Sequence, residues 1–209
     1  MARNPRALPR TPTDQLHCQK QSWRFRYNRA LNFPPDFPML ITRRLEFDAG
    51  HRIPDHKSHC RHLHGHRYAL EITLAGNIIR HDGEAANGMV MDFSDIKMLA
   101  KRHLVDHWDH AFLVYAGDTA VVEFLKTLPG HKTVVLECIP TAENLAETAF
   151  AILDHIFCDN FGNHLRLERV RLYETPNCWA DAVRTDRHSG EICQDRKSTR
   201  LNSSHVKLS

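Results

Sequence analysis

The stretch Glu46–Tyr68, EFDAGHRIPDHKSHCRHLHGHRY, constrains this chain more than any other. It holds Cys60 and six histidines (His51, His56, His59, His62, His64, His66) within sixteen residues, out of sixteen histidines in a chain of 209. A strand sends alternate side chains to one face, so His64 and His66, which flank Gly65, point together if this segment is extended. His51 follows another alternating segment, Leu45–Ala49, and can close the set from the end of a neighbouring strand. Three neutral imidazoles with a fourth position open are the ligand pattern of a catalytic zinc. Spacing leaves two other readings open: a closed structural site with Cys60 as fourth ligand, and a histidine-rich loop that holds no specific metal.

Length and composition fit one domain with a sizeable core, 42% hydrophobic and 25% charged. No apolar run approaches the ~18 residues that cross a bilayer, so no membrane segment is expected. The six cysteines are scattered without a C-x-x-C pair, which favours a reducing, cytoplasmic setting. The net charge of +3 comes from the ends: residues 1–39 carry seven Arg/Lys against two Asp and residues 195–209 four against one, leaving −5 on the body. That body is not a nucleic-acid-binding surface.

Residues 1–38 are Arg- and Pro-rich without hydrophobic periodicity, and read as a disordered extension or a mis-assigned leader ahead of Met39. Residues 39–185 form the expected domain. Within it, Leu40–Asp48 and Tyr68–Ala75 read as antiparallel strands joined by the histidine loop, and Gly88–Asp92 as a short strand. A helix capped by Ser94 is expected over Asp95–Val105, another over Thr119–Lys126, and one from Ala142 to about Phe157 capped by Thr141. Thr133–Cys138, Leu165–Thr175 and Asn177–Val183 complete the strand set. Residues 186–209 read as a disordered tail, with the Ser-rich 195–209 resembling adaptor read-through.

Taken in order, F-D-A-G-H-R at 47–52, C-x3-H-G-H at 60–66, M-D-F at 91–93, D-H at 109–110, P-T-A-E-N at 140–144 and Y-E-T at 173–175 resemble the 6-pyruvoyl-tetrahydropterin synthase family. The three residues between Cys60 and the H-G-H resemble its bacterial 6-carboxy-5,6,7,8-tetrahydropterin synthase branch of queuosine biosynthesis. The resemblance implies an α+β T-fold: a four-stranded antiparallel sheet with helices on one face, oligomerising into a barrel as a homo-oligomer, hexamer or tetramer. It implies zinc on His51, His64 and His66, with Cys60 and the Asp109–His110 pair as catalytic groups. Glu174 is implied as the anchor of a pterin substrate. Glu143 is a second candidate for substrate binding, balanced against a plain carboxylate at a helix N-terminus. The implied reaction turns 7,8-dihydroneopterin triphosphate into the carboxy-pterin, acetaldehyde and triphosphate. A pyruvoyl-forming or pterin aldolase activity and a non-catalytic zinc module remain as alternatives. Where the family often has leucine before the D-H pair, this chain has Trp108.

Overall fold

The computed structural model describes residues 38–185; the expected extension and tail, at 1–37 and 186–209, lie outside the described residues. The histidine stretch folds as foreseen from alternation, but with longer strands. β1 (Met39–His51) and β2 (His64–Gly76) pair antiparallel along their whole length, with His51 opposite His64 and Ala49 opposite His66. The loop between them carries a short 3-10 turn, His59–Arg61. β5 (Leu165–Thr175) pairs with β2, with a bulge between Thr73 and Leu74, and β6 (Cys178–Val183) pairs with β5.

These four strands are the antiparallel sheet expected from the sequence. Two more extend it. β3 (Ala111–Tyr115) runs parallel to β1 and meets it only at Ala49–His51, and β4 (Thr133–Leu136) runs parallel to β3. The sheet therefore has six strands among the described residues, in the order β4-β3-β1-β2-β5-β6. β3 lies in a stretch where alternation predicts no strand. It is a short apolar run without alternation, the pattern of a strand covered on both sides. From Met39 to Phe47 the outer edge of β1 has no strand partner among the described residues.

The helix after β2 begins earlier than expected. In α1 (Phe93–Ala100) the cap is Asp92, whose carboxylate accepts the Ser94 N–H at 2.7 Å, so Ser94 lies inside the helix. The helix then loosens into a π turn, Lys101–Val105, and ends in a last turn, Asp106–Trp108. Gly88–Asp92 forms no strand: Gly88 N–H donates to the Ile79 carbonyl and Ile79 N–H to Met89, folding the segment back on itself. Its apolar side chains serve the core instead, for Val90 and Met91 are buried.

α3 (Ala142–Phe161) is capped by Thr141 and buries Leu145, Ala146, Ala149, Leu153 and Phe157, one helical stripe. It packs on the face of the sheet that carries Leu45, Phe47, Leu70, Ile72, Val170 and Leu172, and α1 joins the same core. Burying each large aliphatic side chain contributes roughly 1.5–3 kcal/mol, so this face holds the domain together. α2 (Thr119–Lys126) is different. Val121 and Leu125 pack on Val114 and Phe112, whereas Ala111 and Leu113 face the main core, so α2 covers the opposite face of β3. No described helix is long and apolar enough to cross a membrane.

Candidate active site

At the far end of the β1–β2 hairpin the buried face changes from aliphatic to imidazole. His51, His64 and His66 each offer a ring nitrogen, and these atoms lie within 4.8 Å of one another. The cross-strand pairing causes this: His51 stands opposite His64 on one face, with ring centroids 4.5 Å apart, and His66 follows two residues on, 5.2 Å from His51. Gly65 makes the approach feasible, since a Cβ there would sit 2.9 Å from the Ala49 carbonyl oxygen. Gly50, its partner across the strands, leaves room for Phe112 of β3, whose ring would lie 2.6 Å from an added Cβ.

Hydrogen bonds fix which nitrogen His51 and His64 present. His51 Nδ1 lies 2.7 Å from the Pro140 carbonyl and His64 Nδ1 2.7 Å from the His62 carbonyl. A carbonyl only accepts, so both Nδ1 atoms carry hydrogen and both Nε2 lone pairs are left free. Burial pushes the His51 and His66 pKa values down, which keeps the imidazoles neutral. His51 is fully buried and its Nε2 has no hydrogen-bond partner among the described residues. The Glu174 carboxylate stands 3.5 Å from that Nε2 and 4.0 Å from His66 Nε2. Lone pairs therefore face a carboxylate, an arrangement satisfied only by a cation or by protons. The residues fit a metal ion. Cys60 does not join the cluster; it is a free, partly exposed thiol whose carbonyl accepts the Ile53 N–H at 2.9 Å.

The P-T-A-E-N segment has a concrete role here. Thr141 Oγ1 accepts the Asn144 N–H and the Asn144 side-chain amide donates to the Ile139 carbonyl at 2.8 Å, a turn that presents the Pro140 carbonyl to His51. Glu143 faces elsewhere. It lines a cavity of about 780 Å³ beside α3 and β6, with Glu147, Asp154 and Trp179. Tyr68, fully buried next to His66 on β2, has a hydroxyl without a partner among the described residues, and burial pushes its pKa up. Its ring centre is 5.8 Å from that of His66 and 6.0 Å from that of His51.

Asp109 and His110 lie where α1's last turn meets β3. The Asp48 N–H donates to Asp109 Oδ1 at 3.0 Å, the His110 N–H donates to the Asp48 carbonyl at 2.7 Å, and His110 Nδ1 is 3.0 Å from Asp109 Oδ1. Burial alone would raise the Asp109 pKa. The Asp48 N–H and the His110 ring outweigh it and hold the carboxyl below the usual range. Trp108 anchors the turn from within, buried edge-on against Phe47. On the outer face of the hairpin Asp48 also forms a two-point pair with Arg67, at 3.1 and 3.0 Å, which lowers its pKa. Sequence reasoning passed over this pair, although the alternation that sends Phe47 inward sends Asp48 outward. Among the described residues no hydrogen bond joins Asp109, His110 or Cys60 to the three histidines. His110, His64 and His66 do line one open cavity of about 580 Å³ together with Arg67 and His131.

Comparison with known proteins gives a consistent picture. A family description, 6-pyruvoyl tetrahydropterin synthase, matches residues 40–185. The chain is 40% identical over 141 residues to a 6-carboxy-5,6,7,8-tetrahydropterin synthase of Rickettsia bellii, covering 67% of this chain and 96% of that one. A protein of the same name from Haemophilus influenzae is 31% identical over 144 residues, with 68% and 96% covered. Among solved structures, an uncharacterised protein of Wolinella succinogenes matches with a TM-score of 0.58 at 21% identity, over 71% of this chain and 99% of that one. The 6-pyruvoyl tetrahydropterin synthase of Caenorhabditis elegans matches with a TM-score of 0.50 at 23% identity, over 71% and 97%. At such identities the structural likeness speaks for the fold alone, the expected T-fold.

Proposed function

The chain belongs to the 6-pyruvoyl tetrahydropterin synthase family, and from that premise we propose that it is a zinc-dependent carbon–carbon lyase of the 6-carboxytetrahydropterin synthase type. It converts 7,8-dihydroneopterin triphosphate into 6-carboxy-5,6,7,8-tetrahydropterin, acetaldehyde and triphosphate, in queuosine biosynthesis. The observation that carries this reading is the converging histidine set with Cys60 outside it. An open metal position suits catalysis, whereas a structural zinc would draw the thiol in as fourth ligand. The names of relatives that are up to 40% identical support the carboxy-forming reaction.

Zinc held by His51, His64 and His66 would supply Lewis acidity toward the hydroxyls of the substrate side chain. Cys60, as thiolate, takes the proton released beside the ring. His110 has its Nδ1 engaged by Asp109, so its Nε2 is left to pass a proton on, and the carboxylate favours the imidazolium when it forms. Glu174 accepts paired hydrogen bonds from the amino and N–H groups of the pterin, with its carboxylate already beside the histidines.

The functional unit in this reading is a homo-oligomer, a hexamer or tetramer, in a cytoplasmic setting. Two observations support assembly. The outer edge of β1 from Met39 to Phe47 and the outer edge of β6 have no strand partner among the described residues, and among those residues the Asp109–His110 turn makes no bond to the histidines of its own chain. Among the described residues Cys60, Cys138 and Cys178 are free cysteines.

The test is incubation of the zinc-loaded protein with 7,8-dihydroneopterin triphosphate, following acetaldehyde and product mass. Acetaldehyde with the carboxy-pterin supports the lyase; a pyruvoyl product without acetaldehyde, or no turnover, overturns it.

A further inference from the structure

The Asp109–His110 turn is held in an unusual way. His110 adopts a left-handed backbone conformation, φ 57°, which side chains disfavour. Its imidazole is 77% exposed, so packing does not fix it. The turn ends the helix that runs from α1 through the π turn, where backbone carbonyls are left without helical partners. One side chain collects them: Lys132 Nζ donates to the Asp106 carbonyl at 2.7 Å and to the Asp109 carbonyl at 2.6 Å. Lys132 stands just before β4 and is anchored in turn, since its own carbonyl accepts the Phe112 N–H at 2.9 Å. Its charge also complements the negative end of that helix.

We propose that Lys132 is a positioning residue for His110, its ammonium bridging the Asp106 and Asp109 carbonyls so that the turn presents the imidazole in one orientation. This rests on the lyase reading, in which His110 carries a proton. The clamp touches neither Cys60 nor the three histidines, so its effect is confined to one arm of the site. The strands β3 and β4 acquire a purpose by the same geometry: they return the chain to the turn and deliver Lys132 there.

The experiment uses the full-length, zinc-loaded protein and compares Lys132→Met, Lys132→Arg, His110→Ala and the Lys132→Met/His110→Ala double variant. Misplacing a reacting group by about 1 Å costs on the order of a hundredfold in rate. Lys132→Met is expected to lower kcat about ten- to a hundredfold, with KM within about twofold and zinc content unchanged. Lys132→Arg, which keeps two donors, restores most of it. In the His110→Ala background Lys132→Met changes the residual rate less than about twofold, because the clamp acts through His110. Full kcat in Lys132→Met, or equal losses with and without His110, overturns the proposal. If Lys132→Met fails to fold, Lys132→Ala, which has no side-chain donor, takes its place under the same criteria. Amide and imidazole NMR of His110 keeps the two readings apart. A wild-type protein that releases no acetaldehyde ends the lyase reading, whereas His110 resonances unmoved by Lys132→Met end the clamp.

Discussion

The two arms of the site are built on opposite principles. The histidine cluster sits on regular strands, His51 buried and His64 and His66 half-buried, with the ring orientations of His51 and His64 set by backbone carbonyls and the spacing by the pleat. The Asp109–His110 arm sits on a turn, exposed, in a disfavoured backbone conformation, and is held by bonds to Asp48 and Lys132. A metal site needs several ligands within a narrow distance, which a hairpin supplies at no further cost. A proton carrier needs access to solvent and substrate, which a strand interior denies.

This contrast predicts separable failures. His64→Ala should have the largest effect: metal affinity should drop by more than ~100-fold, beyond the loss of an outer-shell partner, and turnover should vanish with it. Elemental analysis and the acetaldehyde assay check this, and full turnover without metal would break the comparison. His110→Ala should keep the zinc and lower kcat by about 10² to 10⁴, the range for a lost acid–base group. Cys60→Ala should show the same split; loss of zinc from that variant would instead revive the closed four-ligand site.

Smaller effects sharpen the contrast. Gly65→Ala should destabilise the protein by about 1–3 kcal/mol, the usual cost of overpacking, because the new Cβ meets backbone at Ala49. Thermal melts measure it. Gly50→Ala should cost less, since what it meets is the Phe112 ring, which can turn aside.

The pH response should divide the arms as well. His51 and His66 have depressed pKa values, while the unfolded chain takes up protons near pH 6.5. Metal-free protein should therefore be most stable above about pH 6.5 and lose at most about 1.4 kcal/mol per pH unit per group as pH falls below it. Asp48 and Asp109 are shifted down, so their contribution is complete above about pH 4 and fades only below it. Melts between pH 5 and 8 should respond to the histidines alone.

The same division decided what could be read from the sequence. Alternation along Leu45–His51 and His64–Tyr68 is a local signal of period two, so the pairing that gathers His51, His64 and His66 was legible. So were β5 and the apolar stripe and Thr141 cap of α3. β3 was not: Ala111–Tyr115 is covered by the main core on one side and by α2 on the other, and so does not alternate. At Gly88–Asp92 the apolar run signals a strand because Val90 and Met91 are core residues, but Gly88 and Met89 bond back to Ile79 and Ala86 instead of to a strand of the sheet. Lys132 left no trace either. Its partners are carbonyls, which every residue possesses, so no spacing or residue type marks the contact.

The bulge between Thr73 and Leu74 reaches further than its own strand. Bulges steepen local twist, and this one lies between β2 and β5, midway from the open part of β1, Met39–Phe47, to the outer edge of β6. When the edge of one copy receives the opposite edge of the next, the angle each copy contributes decides between a closed ring and an endless fibre. In the proposed homo-oligomer, deleting Glu168, the extra residue that β5 carries opposite Thr73 and Leu74, would then alter the number of copies per turn.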